Sequence, residues 1–263
     1  MNPEVKTSVF NLANRINKFS KSVVTAMVLC WVFASGCSSQ DNVIRLFVAS
    51  SMTDYMEQVA SEHSSTQAGA ATELNIAGSG TLLTQLDEGA IADLVILAGR
   101  DHTRRLQEMG SFLSPIEFAS TSLSVIVSPA LSNANLSIRD LRAGDLQGAA
   151  CVVSAPCGQL ADEFATATGL EMRSVTREPN VRSVLAKVER GEVDFGFVYR
   201  TDFLAAATDI AEIKDSGAEA FNTFYSLAVA RDTPNMAQAV VLAESITSQY
   251  GQTRLRQLGF EHP

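Results

Sequence analysis

The chain has 263 residues, of which 46% are hydrophobic and 19% charged. That is enough apolar content for one large or two smaller domains, and it argues against wholesale disorder. The formal net charge of −9 makes nucleic acid and anionic membrane surfaces poor partners for the body of the protein.

The N-terminal stretch reads as an export signal rather than as part of the fold. Arg15, Lys18 and Lys21 form a basic region, and Val23 to Phe33 is an apolar run too short to span a bilayer. Ala34-Ser35-Gly36-Cys37 follows, small residues leading into a cysteine. This looks like a bacterial lipoprotein lipobox, which implies cleavage before Cys37, lipid on its thiol, and a tether over residues 37–42. Cleavage elsewhere, or an uncleaved anchor, is the alternative. The basic region begins far from Met1, which points to a start codon further in.

Residues 1–36 hold four of the 20 basic residues and one of the 29 acidic ones, so the remainder carries 16 and 28, a net of −12. An anion bound to such a body must be held by local dipoles rather than by a general positive field. Cys30 leaves with the signal, and Cys151 and Cys157 remain in an exported setting where disulfides persist. A disulfide between them is expected, with two reduced, buried thiols as the alternative. There is no Cys/His metal spacing, and the histidines are His63, His102 and His262.

Val43 to Ala49 reads as a first strand, followed by Ser50-Ser51 and a helix with Met52, Met56 and Val59 on one face. Glu73 to Ala77 reads as the next strand and breaks at Gly78-Ser79-Gly80. A helix follows, with Leu82, Leu83 and Leu86 on one side and Gly89 at its C-terminal end. A Gly-Ser-Gly turn between a strand and a helix start offers unpaired N–H groups and the positive end of a dipole, which suits an anion. An ordinary turn with a serine cap is the other reading. Ala92 to Ala98 is a buried strand, and Asp101 is placed to cap a helix through Leu106 and Met109, ended by Gly110. This βαβαβα order argues for a parallel sheet covered on both faces.

Ser122 to Ser128 is an alternating strand and the first crossing into a second α/β series. Ser137 caps a short helix containing Leu141, and Gly148 to Val153 is a strand. Ala155-Pro156-Cys157-Gly158 then turns into a helix that runs to Gly169. Asn180 caps another, with Val181, Leu185 and Val188 on one face, and Val193 to Tyr199 is a strand ending in a phenol. Phe224 to Ala230 reads as the strand that returns, Pro234 opens a long helix through Ile246, and Leu255, Leu258 and Phe260 mark a last amphipathic segment. The expected organisation is two lobes, residues 43–121 with 225–263 and residues 122–224, with a cleft between them that closes about a hinge.

The ordered set Val48-Ala49-Ser50-Ser51-Met52-Thr53, Ala77-Gly78-Ser79-Gly80-Thr81, Gly89-Ala90-Ile91-Ala92-Asp93, Pro156-Cys157-Gly158, Asn180-Val181-Arg182, Gly196-Phe197-Val198-Tyr199 and Leu258-Gly259-Phe260 resembles the molybdate-binding protein of a bacterial ABC importer, the ModA family. The resemblance covers nearly the whole chain after the signal. It implies the two-lobed α/β fold of type II periplasmic binding proteins, each lobe a mainly parallel sheet flanked by helices. It also implies that Ser51 and Ser79 donate hydroxyl and backbone N–H to the oxyanion, that Cys157 and Val181 contribute backbone N–H, and that Tyr199 donates its phenol. Molybdate or tungstate is then the ligand, held as an oxyanion with no direct metal ligands and no cofactor. The implied partners are an ABC permease and its ATPase, with the chain a monomer anchored by lipid at the membrane or facing the periplasm.

Two features depart from the family pattern. Arg200 follows Tyr199 where a small residue is usual, and Ser226 stands in the return strand where proline is common. A pocket of donors alone favours fully ionised oxyanions, because a ligand O–H would meet no acceptor. Other readings are the same scaffold tuned to sulfate, phosphate or an organic anion, the sensing domain of a transcription regulator, and, more remotely, a serine hydrolase. A regulator would need a helix-turn-helix, whereas the N-terminus here reads as an export signal. A hydrolase would need a Gly-x-Ser-x-Gly elbow and a placed histidine base, which are missing, His63 and His102 reading as exposed.

Overall fold

The structure, a computed structural model, describes residues 43–65 and 71–263. The signal, Cys37 and the tether lie outside them. Strand β1 (Val43–Ala49) is flanked in parallel by β2 (Ala71–Ala77) and β3 (Leu94–Ala98). Strand β1 buries Ile44, Leu46 and Val48 on one side and Phe47 on the other. That is the pattern of a strand covered by helices on both faces. The helices are α1 (Thr53–Ser65), entered through a 3₁₀ turn at Ser50–Met52, then α2 (Ser79–Asp87) and α3 (Arg100–Glu108). Gly99, at φ +85, caps α3 where Asp101 had been expected to, and Asp101 lies inside the first turn.

The crossing strand is longer than its alternating segment suggests. Strand β4 runs Ile116–Val127. Its first half pairs antiparallel with β9 (Asn222–Val229) and its second half with β7 (Phe195–Tyr199). Beyond it come α4 (Ile138–Arg142), β5 (Gly148–Cys151), α5 (Pro156–Thr168), β6 (Val175–Glu178), α6 (Val181–Glu189), α7 (Arg200–Leu204) and a short β8 (Ala211–Glu212). Asp140 accepts the Ser137 N–H at 2.7 Å at the start of α4, as a capping box requires. Strands β5, β6 and β7 are parallel. The chain closes with α8 (Met236–Thr247) and α9 (Gln249–Gln257). Hydrogen-bonded neighbours follow the order β2-β1-β3-β9-β4-β7-β5-β6, with β8 on β4.

Burial divides along this order. Two apolar clusters draw their residues from 44–119 and 225–260. Two others draw theirs from 123–221. Each pair sandwiches its own part of the sheet, and β4 and β9 carry the chain between them. In the second part Phe164 packs on Phe197 and edge-on to Phe221 at 5.6 Å, an arrangement worth about 0.5–1.5 kcal/mol beyond area burial. Among the described residues no helix is long and apolar enough to cross a membrane.

Candidate functional site

Ser51, Ser79, Cys157, Val181 and Tyr199 line one cavity, together with Ala49, Ser50, Gly78, Ala98, Ala155, Pro156 and Asn180. The cavity lies where the two sides of the fold meet. Ser51 and Ser79 come from the β1 and β2 ends, and Cys157, Val181 and Tyr199 from the β5, β6 and β7 ends. Helices α2, α5 and α6 begin at Ser79, Pro156 and Val181, and Ser51 sits in the 3₁₀ turn ahead of α1. First-turn N–H groups have no acceptor within their own helix, and each helix start acts as roughly half a positive charge. None of the lining residues carries a formal charge. In volume the cavity is about 10 Å³, close to the room one water needs.

The side-chain donors are oriented by the fold. Ser79 is 2% exposed, and its Oγ accepts the N–H of Ala98 at 2.9 Å. Ser79 is thus not a cap of its own helix, the role Gly78 fills from an extended conformation. Ser51 Oγ accepts the hydroxyl of Tyr225 at 2.8 Å. Each serine thereby uses one lone pair on the protein and keeps its own proton available for a ligand. The Tyr199 hydroxyl is fully buried, close to the Thr223 side chain and with no hydrogen bond of good geometry. Burial pushes the Tyr199 phenol far above its ordinary pKa, with Asp202 adding to the rise and the Thr223 side chain acting in the opposite direction. It stays protonated and remains a donor.

Gly78 of the Gly-Ser-Gly turn lets another stretch of backbone come close. A Cβ on Gly78 would stand 2.9 Å from the carbonyl oxygen of Pro179 across the cavity, so the residue ahead of α2 must be small for the opposite wall to approach. Cys151 and Cys157 are joined by a disulfide, with Cα atoms 5.7 Å apart. It ties the first turn of α5 to the end of β5. Asn180 caps α6, its Oδ1 accepting the Ser183 N–H at 3.0 Å.

Charge lies beside the cavity rather than in it. Arg182 pairs with Asp202, which has no exposed surface, and with Asp54 of α1. Arg182 and Asp54 border a second cavity that shares Ser51 with the first. Burial raises the Asp202 carboxyl to about 7, against the pull of Arg182. Arg200 does not line the cavity, because its guanidinium pairs with Glu212 and leans on Phe203. Ser226 is buried. His102, expected at the surface, is only 8% exposed and bonds through Nε2 to the carbonyl of Ser154 at 3.0 Å. Its burial holds the imidazole below its usual pKa. His63 is half-buried. Asp202 and Tyr225 are unmarked by their local sequence, as are the ion pairs of Arg182 and the burial of His102, since each depends on a partner that only the fold brings close.

A family described as bacterial extracellular solute-binding protein matches residues 44–261. The chain belongs to that family. Its members are extracytoplasmic binding proteins and not enzymes, and the group they hold is a transported ligand rather than a cofactor. Among curated relatives, the chain is 28% identical over 255 residues to the molybdate-binding protein ModA of Mycobacterium bovis, covering 93% of this chain and 98% of that one. Among solved structures, it resembles the periplasmic molybdate-binding protein of Azotobacter vinelandii, with a TM-score of 0.72, 18% identity, and 84% and 99% of the two chains covered. It also resembles the sulfate-binding protein SubI of Mycobacterium tuberculosis, with a TM-score of 0.70, 15% identity, and 84% and 86% covered. The two structural likenesses show the fold, a mixed sheet with flanking helices in two lobes.

Proposed function

We propose that this solute-binding protein captures molybdate, and tungstate with it, as the receptor of an ABC importer, and hands the oxyanion to a permease driven by its ATPase. The binding residues are Ser51, Ser79, Cys157, Val181 and Tyr199. The supporting observation is that these five residues share one uncharged cavity. A dianion there meets serine hydroxyls whose oxygens already accept from the protein, a buried phenol that stays protonated, and the starts of three helices. The helix starts and the 3₁₀ turn together offer about two charge equivalents, enough for a dianion without a lysine or arginine. The near-full-length likeness to ModA proteins supports molybdate in particular.

In this reading residues 43–121 with 225–263 form one lobe and residues 122–224 the other, and ligand entry and release follow their opening. Lipid on Cys37 would hold the protein at the membrane surface. Titration of residues 38–263 with molybdate in a calorimeter tests the proposal. Saturable one-to-one binding supports it. Sulfate binding with no molybdate binding would replace the ligand and leave the scaffold.

A further inference from the structure

We propose that Tyr225 is a positioning residue of the oxyanion site, acting through Ser51 without touching the ligand. Tyr225 has no exposed surface and does not line the cavity. Its hydroxyl donates to Ser51 Oγ at 2.8 Å, across 174 residues of chain. This occupies the side of the serine oxygen away from the cavity, so the Ser51 proton is directed at a ligand. A hydroxyl that accepts one hydrogen bond is also a better donor in the next, because successive bonds in a low-dielectric setting polarise one another.

The backbone holds Tyr225 for this role. It stands opposite Ala98 in the β3–β9 ladder, and Ala98 is the residue whose N–H is accepted by Ser79 Oγ. One rung therefore sets both serines, one through a backbone donor and one through a side chain. The ring is packed edge-on by Phe260 at 5.4 Å and by Tyr199 at 6.4 Å, which gives the C-terminal Leu258-Gly259-Phe260 segment a part in shaping the site. Burial, with Tyr199 and Asp202 adding to it, keeps the Tyr225 phenol protonated well above its ordinary pKa, so it stays a donor.

This inference rests on the molybdate reading, and the test separates the two. Molybdate affinity is measured for the unaltered protein, Tyr225→Phe, Ser51→Ala and the double variant, each checked by thermal melting for a folded state. Tyr225→Phe is expected to weaken binding about 2- to 12-fold, the range of one neutral hydrogen bond. In the Ser51→Ala background the same change is expected to have no effect, since a residue that acts through Ser51 has nothing to act on. An equal loss in both backgrounds, or no loss in either, overturns the positioning role while leaving the molybdate reading intact. Failure of the unaltered protein to bind molybdate overturns the reading on which the inference rests.

Discussion

Nε of Arg182 lies 2.9 Å from Oδ1 of Asp202, a carboxylate with no exposed surface, and the same guanidinium reaches Asp54 on the opposite side of the fold. Arg182 follows Val181, whose N–H faces the cavity in the proposed site, yet its charge is spent on two carboxylates. The oxyanion site thus stays neutral beside a cation. Removing Arg182 leaves Asp202 buried without its counter-charge. Arg182→Met is expected to lower stability by about 3–5 kcal/mol at pH 8, with a smaller loss at pH 5, where Asp202 can take up a proton. Urea unfolding at the two pH values checks this. An equal loss at both would dismiss the uncompensated carboxylate as its cause.

The raised Asp202 pKa also sets a pH dependence in the unaltered protein. Between the ordinary carboxylate range and about pH 7 the folded state holds a proton on Asp202 that the unfolded chain has lost. Folded stability therefore falls as pH rises through that window. Asp202→Asn removes the titrating group, so the variant-minus-parent difference in unfolding free energy should slope across pH 4–7 and level off above it. A flat difference would place the folded-state pKa near its ordinary value.

Ser79 offers the most direct side-chain test of the site. Its Oγ is held by Ala98, and its proton is free for the ligand. Ser79→Ala is expected to weaken molybdate binding by about 1.5–3 kcal/mol, the scale of a hydrogen bond to a charged group. Calorimetry reads the change as a dissociation constant, and an unchanged value would remove Ser79 from the site.

The five residues of the proposed site were named by their resemblance to the ModA family, and most of them also fall where period changes. Ser51, Ser79 and Cys157 each stand where a β-type run gives way to a helical one, Val181 follows the helix cap Asn180, and Tyr199 ends an apolar strand. Such junctions are visible in local sequence. Tyr225, Asp202 and the ion pairs of Arg182 were not legible. Tyr225 looks like any aromatic of a buried strand until Ser51, 174 residues away, is brought to its hydroxyl. The first half of β4 was hidden by its polar residues. Ser120 and Thr121 lie ahead of the alternating segment that begins at Ser122, yet both are buried where that half pairs with β9. Strand β6 is a four-residue run at the sheet edge with no fully buried residue, too weak for a periodicity signal.

The disulfide predicts that denatured, unreduced residues 38–263 titrate no free thiol. Reduction is expected to lower stability by about 2 kcal/mol through the short loop it opens, on the chain-entropy account. It should also weaken oxyanion binding, because Cys157 is part of the cavity wall. Two thiols in the unreduced sample would reject the pairing.

Gly158 tests the approach of α5 to the sheet. A Cβ there would stand 2.1 Å from the carbonyl oxygen of Val152 and 2.7 Å from that of Cys151, both backbone atoms. Gly158→Ala must therefore shift the α5 start. It should lower the melting temperature and weaken binding together, and a variant matching the parent in both would show that the turn yields freely.

In the proposed site an uncharged set of donors holds a fully ionised tetrahedral oxyanion. The most direct measurement is a thermal-shift series on residues 38–263 with molybdate, tungstate, sulfate, phosphate and a panel of organic anions. A reporter dye is needed, because the single tryptophan, Trp31, lies in the signal. A ligand present at 100 times its dissociation constant adds about 2.7 kcal/mol to stability. The account predicts a large upward shift with molybdate and tungstate, and little with phosphate, which carries a proton near neutral pH. A shift with an organic anion and none with any tetrahedral oxyanion would contradict it.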